Sequence, residues 1–306
     1  MSRRVTVLMG GASAEREVSL RSGAAAAAAL KQAGYRVATV DAGRDPVMLI
    51  QAIRATSPDV VFNALHGRFG EDGCIQGLLD MLRLPYTHSG LLASAAAMDK
   101  AFARTLFAQA GLPVAQGLVV SKGCVLGDPL PRPYVAKPLN EGSSVGVHIV
   151  KPGDNSDPLA DWPFDCEQVL VEEFVPGREL TVAVMGDKVL GCLEITSDRG
   201  FYDYDAKYAP GGSRHVMPAP IPEDDYALAC ELAQRAHQVL GCRGVSRTDL
   251  RYDDTHPHQP ARMVVLEVNT QPGMTATSLV PEIAAHAGIT FPDLVRWMVE
   301  NARCDA

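Results

Sequence analysis

Three short apolar runs in the first ninety residues, at 5–9, 35–40 and 59–65, are each followed by a stretch with helical spacing, at 17–32, 46–55 and 73–82. This alternation constrains the fold more than any other feature of the chain. Each helix carries the chain back across the sheet, so the strands run parallel and helices cover the sheet faces. Near residue 98 the alternation stops. A helical stretch at 100–110 is followed by strand-like runs at 117–120, 134–138, 147–150 and 169–174, heavily punctuated by Gly and Pro. That pattern predicts a compact α+β unit with hairpins. Strands at 180–185, 189–195, 245–252 and 263–268 then flank a helix over 224–240, and a helical end at 281–302 breaks near Pro292. Residues 199–213 lack apolar periodicity and read as a mobile loop.

At 306 residues the chain is long enough for two or three domains. A formal net charge of −8 argues against a general nucleic-acid or anionic-membrane binder, since those partners need a basic face. No secretory signal is read at the start, and no apolar run is long enough to span a bilayer. The alanine-rich 24–30 stretch reads as a helix packed in a soluble domain. The seven cysteines are scattered without a C-x-x-C pair, which suits reduced thiols in a cytoplasm and gives no zinc pattern. Cys74 is expected to be a buried small hydrophobe.

Six segments carry chemistry. Gly10-Gly11 ends the first strand, and a glycine turn before a helix can bind phosphate. Asp41 after the second strand invites a dinucleotide reading. There is no G-x-G-x-x-G, however, and the Glu15 carboxylate suits a substrate ammonium better than a pyrophosphate. Its bland reading is a helix-dipole partner. His66, after the third strand, lies where open parallel sheets bind ligands, and it could hold a substrate carboxylate. Lys137 ends a strand and precedes a Gly/Ser-rich segment with Ser143 and Ser144, a candidate phosphate flap. The strongest signal is Asp249 with Glu267 and Asn269. Glu267 and Asn269 are two apart on a strand and share a face. Two carboxylates and an amide oxygen, with room for phosphate and water, form a Mg2+ pattern. Arg247 lies two residues from Asp249 and is placed to stabilise growing negative charge. Gly273, in the turn after Asn269, offers a backbone amide to an oxyanion. Lys207 and Tyr208 lie in the 199–213 loop, which reads as a lid.

Taken together the segments GGASAEREVSLRSG, LHGRFGEDG, SGLLASAAAMDK, KPLNEGSSVGV, FYDYDAKY and EVNTQPGMTATSL resemble, in order and spacing, the D-alanine–D-alanine ligases of the ATP-grasp superfamily. The resemblance implies three domains: an N-terminal parallel α/β substrate domain (1–97), a central α+β ATP-grasp domain (98–178), and a C-terminal one with the metal site and lid (179–306). ATP lies between the last two. Carried over by motif, Lys100, Lys137 and Lys207 contact phosphates, and Ser144 lies in the flap. Glu172, Phe174 and Val175 form the adenine hinge, and Glu179 holds the ribose. Asp249, Glu267 and Asn269 bind two Mg2+ or Mn2+ ions. Glu15 takes the first D-alanine's ammonium and forms a triad with Ser143 and Tyr208. Arg247 and the Gly273 amide make the oxyanion hole. Ser278 and Leu279 hold the second D-alanine's carboxylate.

The implied reaction moves the terminal phosphoryl group of ATP to a carboxylate, and an amine then attacks the acyl phosphate. The implied setting is cytoplasmic, in peptidoglycan precursor synthesis, as a homodimer. His88 stands where the family usually has glycine, and Asp205 where glutamate is usual. Two alternatives remain at this stage: another ATP-grasp carboxylate–amine ligase, or a nucleotide-binding protein of this fold without turnover.

Overall fold

The computed structural model describes residues 3–124, 127–142, 146–155, 158–196, 212–256, 258–275 and 277–305. Strands β1 (Arg4–Gly10), β2 (Arg36–Ala42) and β3 (Val60–Asn63) form a parallel sheet in the order β2-β1-β3. Helices α1 (Arg16–Gln32), α2 (Pro46–Thr56) and α3 (Cys74–Met81) cover it. Both faces are buried, which is why β1 and β3 are near-continuous apolar runs. On one face Val5, Val7 and Phe62 pack with Ala26 and Leu30 of α1. On the other, Leu8, Val40 and Val61 pack with Leu49 and Ile53 of α2 and with Ile75 and Leu79 of α3.

Helix α4 (Leu91–Met98) escapes sequence reading because four alanines and three large apolar residues in eight positions give it no polar face. Asp99 ends it and caps α5 (Lys100–Gln109), accepting from the Phe102 amide at 2.9 Å. Next, β4 (Gly117–Ser121), β5 (Tyr134–Pro138), β6 (His148–Val150) and β7 (Gln168–Glu173) form an antiparallel sheet in the order β4-β7-β5-β6. The short helix α6 (Pro158–Asp161) precedes β7. Strands β8 (Arg178–Met185), β9 (Lys188–Thr196), β10 (Arg214–Val216), β11 (Val245–Asp253) and β12 (Arg262–Asn269) form a second antiparallel sheet, β10-β9-β8-β11-β12.

Helix α7 (Glu223–Val239) packs on this last sheet, and so does α5. Ala103 and Phe107 of α5 share a core with Leu180, Val182, Leu250 and Val265. Chain position near the central strands therefore does not decide which sheet α5 joins.

The helical end is two helices, α8 (Leu279–His286) and α9 (Phe291–Glu300). The break falls at Gly288, whose φ of 81° a side chain would disfavour. Pro292 does not break a helix; it lies in the first turn of α9, where its missing N–H leaves no gap. Leu294, Val295 and Met298 of α9 complete the core on the α1 face of the parallel sheet. The last residues return as well, with Tyr86 and Arg303 exchanging backbone hydrogen bonds of 2.9 and 3.2 Å. The first and last stretches of the chain are thus one packed unit.

All seven cysteines are free thiols. Cys74 is exposed at the start of α3, contrary to the buried position expected from sequence. His88 is buried with a left-handed φ of 69°, a backbone shape that glycine adopts at no steric cost. Its Nδ1 has no hydrogen-bond partner, and burial lowers its pKa to about 3. Among the described residues no helix is long and apolar enough to cross a membrane.

Candidate active site

The two antiparallel sheets face each other across a cleft lined by β5 and β7 on one side and by β8, β11 and β12 on the other. Lys137 and Val135 share a face of β5, and Val135 sits opposite Glu172 of β7. Lys137 is therefore the diagonal neighbour of Glu172, and its Nζ lies 2.5 Å from Glu172 Oε2. Arg104 Nε approaches the other oxygen at 3.3 Å. Glu172 is only 5% exposed, so a buried carboxylate is held between two cations.

Phe174 and Val175 continue from β7 into the turn before β8. Arg251 of β11 clamps that turn. Its Nε donates to the Val175 carbonyl at 3.0 Å and its Nη2 to the Gly177 carbonyl at 2.9 Å. Its Nη1 lies 3.7 Å from Glu179 Oε2, and its guanidinium carbon is 5.9 Å from the centre of the Phe174 ring.

At the floor of the cleft Asp249 pairs with Glu267 directly across β11 and β12, and Arg247 with Asn269. A bulge follows immediately, since Leu250 pairs with Val265 and leaves Leu266 as the extra residue. The bulge lets Leu266 and Glu267 both line the cleft. Asp249 is 7% exposed. Its Oδ1 accepts from Thr181 Oγ1 at 2.6 Å and from Arg247 Nε at 2.8 Å, and its Oδ2 from Arg247 Nη2 at 2.6 Å. Asn269 Oδ1 accepts from the Gln271 amide at 2.8 Å and keeps a second lone pair. Among the described residues no three His, Cys, Asp or Glu side chains gather as a metal cage. Two carboxylates and an amide oxygen at the end of adjacent strands nonetheless fit a hard cation that takes its remaining ligands from phosphate and water.

A second cleft opens beside the first and shares Lys100, Glu141 and Glu267 with it. Lys100 Nζ lies 2.5 Å from the Glu141 carbonyl oxygen and 3.8 Å from Glu267 Oε2, so it stands at the junction. Glu15 sits at the N-terminus of α1, but its side chain makes no capping hydrogen bond. Its place at the N-terminus of α1 suits the helix-dipole reading, and it also lines the second cleft. Its backbone is tied by Ser13, whose Oγ accepts from the Glu15 amide at 3.2 Å and donates to the His66 carbonyl at 2.7 Å. His66 Nδ1 is 4.0 Å from Glu71 Oε2, and its Nε2 is 3.3 Å from Ser22 Oγ. Ser22 Oγ also accepts from the Met274 amide at 3.2 Å, joining α1 to the turn after β12. In that turn a Cβ at Gly273 would lie 2.9 Å from Ser278 Oγ, so glycine keeps the passage narrow. Ser278 precedes α8 and its Oγ accepts from the Thr275 amide at 3.0 Å, leaving the first amides of α8 uncapped by it. The Leu279 side chain is buried in the core, so Leu279 can offer a ligand only its backbone.

The structure brings Glu15, His66, Lys100, Arg247, Glu267, Asn269, Gly273, Ser278 and Leu279 to the second cleft. It brings Lys137, Glu172, Phe174, Val175, Glu179 and Asp249 to the first. Ser143, Ser144, Lys207 and Tyr208, and with them nearly all of the lid reading at 199–213, lie outside the described residues. Asp41 is taken by Arg16 in two hydrogen bonds of 2.7 and 2.5 Å, chiefly these holding its carboxyl below the usual range. That contact leaves the dinucleotide reading without its acid. Sequence reasoning misses Arg104, Thr181, Ser22 and Arg251. For Arg251 a signal existed, because it follows Arg247 and Asp249 at spacing two on the same strand face.

Two antiparallel sheets closing on a lysine- and carboxylate-lined cleft place the molecule in the ATP-grasp class of folds. Residues 41–89 match the family model of the D-ala D-ala ligase N-terminus, and residues 106–300 that of its C-terminus. A D-alanine–D-alanine ligase of Paramagnetospirillum magneticum is 75% identical over 306 residues, covering all of both chains. One of Rhodospirillum rubrum is 62% identical over 309 aligned positions, again covering all of both. The crystal structure of D-alanine–D-alanine ligase from Bacillus anthracis complexed with ATP superposes with a TM-score of 0.84 at 28% identity, over 98% of this chain and 97% of that one. The chain belongs to the D-alanine–D-alanine ligase family.

Proposed function

We propose that the chain joins two D-alanine molecules into D-alanyl-D-alanine, an ATP-dependent step that supplies peptidoglycan precursors. The observation that carries this reading is the junction of the two clefts at Lys100 and Glu267, beside the Asp249–Glu267 cross-strand pair. A nucleotide in one cleft can present its terminal phosphate to a carboxylate in the other only at such a junction.

ATP occupies the first cleft, its adenine at Glu172, Phe174 and Val175 and its ribose at Glu179. Lys100, Lys137, Lys207 and the Ser144 segment hold its phosphates. Asp249, Glu267 and Asn269 would hold two Mg2+ or Mn2+ ions, which supply neutralising charge to the phosphates. Glu15 takes the first D-alanine's ammonium, and His66 aids its carboxylate. A carboxylate oxygen attacks the terminal phosphorus, ADP leaves, and an acyl phosphate forms. The second D-alanine is held through its carboxylate by Ser278 and the Leu279 amide. Its neutral amine attacks the acyl carbon, and Arg247 and the Gly273 amide meet the oxyanion before phosphate departs. Ser143 and Tyr208 close the site over Glu15, excluding the water that would hydrolyse the acyl phosphate. Free D-lactate lacks an amine, and Tyr208 with its partners favours D-alanine as second substrate.

The enzyme works in the cytoplasm as a homodimer; Met81, Leu91 and Leu92, exposed on α3 and α4, give that proposal an apolar surface. Phosphate release measured with D-alanine, L-alanine or no amino acid tests the reading. Release that depends on D-alanine alone, with one dipeptide per phosphate, is expected. Equal release with L-alanine favours another carboxylate–amine ligase, and none with any amino acid favours a binding protein without turnover.

A further inference from the structure

Thr181 has no role in the reading above, yet it decides how many oxygen sites Asp249 can offer. It stands directly opposite Asp249 in the antiparallel pairing of β8 with β11, on the central strand of its sheet, and it is fully buried. Its Oγ1 donates to Asp249 Oδ1 at 2.6 Å. The Thr248 carbonyl, at 3.5 Å, is too far to compete for the single hydroxyl proton. Arg247 Nε donates to the same Oδ1 at 2.8 Å, and Arg247 Nη2 donates to Oδ2 at 2.6 Å. A carboxylate has about four lone-pair sites, two on each oxygen. Both sites of Oδ1 are thus taken, and among the described residues Oδ2 keeps one. Asn269 Oδ1 is limited in the same way, because the Gln271 amide donates to it at 2.8 Å. That limit matters to a cation. A carboxylate with one open site can bind an ion through one oxygen and cannot chelate it through both. Ca2+ takes about six to eight oxygens and readily accepts both from one carboxylate, whereas Mg2+ takes about six in octahedral order and keeps several waters.

We propose that Thr181 is a positioning residue that, by occupying Asp249 Oδ1, restricts this carboxylate to one-oxygen coordination and so biases the site toward Mg2+ and against Ca2+. The inference rests on the reading of Asp249, Glu267 and Asn269 as the metal site. The branched side chain of Thr181 is stiff, and a strand on either side holds its backbone, so the donor stays in place. Valine in its place keeps the branched shape and loses the hydroxyl, which opens a second site on Asp249. Serine keeps the hydroxyl and loses only a methyl group.

The test is displacement of Mn2+ by Mg2+ and by Ca2+, read from the electron paramagnetic resonance of free Mn2+, with a non-hydrolysable ATP analogue and without D-alanine. The full chain, Thr181→Val and Thr181→Ser are compared at equal nucleotide, so binding of ions to the nucleotide itself cancels between them. The wild-type chain is expected to give up Mn2+ to Mg2+ more readily than to Ca2+. In Thr181→Val the ratio of Ca2+ affinity to Mg2+ affinity should rise on the order of tenfold, the scale of one hydrogen bond to a charged group. Thr181→Ser should stay within about twofold of the wild type. If Thr181→Val does not fold, as thermal unfolding would show, Thr181→Cys decides, because a thiol is a weak donor, and its ratio should rise as well. An unchanged ratio in the folded valine or cysteine variant overturns the proposal, and so does an equal rise in Thr181→Ser. A wild-type chain that binds the two ions alike also overturns it, and that result leaves the metal site standing. A wild-type chain that binds no Mn2+ beyond that held by the nucleotide overturns both. D-alanine is absent throughout, so a failure of the ligation reading shows in phosphate release and not here.

Discussion

The two clefts are built from different material. In the nucleotide cleft the charged groups stand on strands of two sheets and are answered by neighbours on adjoining strands and helices. Lys137, Glu172 and Arg104 form one such set, and Arg251 and Glu179 another. In the substrate cleft, beside the strand residues Arg247, Glu267 and Asn269, the groups come from turns and helix starts far apart in the chain. Glu15 precedes α1, His66 follows β3, Lys100 starts α5, and Gly273 and Ser278 follow β12. A charge answered inside a sheet belongs to the fold as well as to the ligand. A charge on a turn belongs mainly to the ligand. Substitutions in the first cleft should therefore cost stability along with binding, and those in the second should cost rate or affinity alone.

The junction between the clefts should give the largest effect. Asp249→Asn removes charge at nearly constant volume, and kcat should fall about 100-fold or more, the scale of losing one preorganised charge interaction in an active site. Thermal unfolding should show a folded protein. Near-normal turnover at ordinary Mg2+ would remove Asp249 from the metal set.

Lys137→Met tests the nucleotide cleft, because it strips one of the two cations from a buried carboxylate. Stability should fall by about 1–3 kcal/mol, below the full cost of an uncompensated buried charge because Arg104 remains. The KM for ATP should rise in the same variant. A rise in KM with unchanged stability would erase the contrast between the clefts. Glu15→Gln is the matching change in the substrate cleft. The KM for the first D-alanine should rise on the order of tenfold, the value of a hydrogen bond to a charged group, with the unfolding midpoint unmoved. A large loss of stability there would place Glu15 among the structural charges instead.

How far the sequence could be read follows the same division. Glu267 and Asn269 are legible as a same-face pair because strand periodicity is written locally. That Asp249 sits opposite Glu267 is a matter of register and of the bulge at Leu266, and neither is written in either strand alone. The clamp formed by Arg251 is harder still to see, because its partners at Val175 and Gly177 are backbone carbonyls, which any residue supplies. The helical end shows the opposite error, where a conspicuous proline drew the break that Gly288 makes. Packing of α5 on the last sheet depends on contacts such as Phe107 with Leu250 and Val265, which local spacing does not encode.

An effect confined to acid pH concerns His88, which lines neither cleft. Its folded pKa lies near 3 against 6.5 for the free side chain, chiefly through burial, with His66 and Arg243 adding repulsion. The unfolded chain takes up a proton below pH 6.5 that the folded chain refuses. Stability from this group is present above pH 6.5 and is lost as pH falls toward 3, by about 1.4 kcal/mol per pH unit at most. His237, also lowered by burial, adds in the same direction. His88→Gly relieves the left-handed backbone and removes the titrating group, so the acid limb of its stability profile should be shallower by one proton. A profile parallel to the wild type would show that His88 is already protonated in the folded chain.

The central claim is that phosphoryl transfer to a D-alanine carboxylate occurs where the clefts meet. D-alanine labelled with oxygen-18 in its carboxylate tests it most directly. The oxygen that attacks ATP stays on phosphorus when the second amine displaces it, so the account predicts one labelled oxygen in each phosphate released. Dipeptide formed with unlabelled phosphate would contradict it.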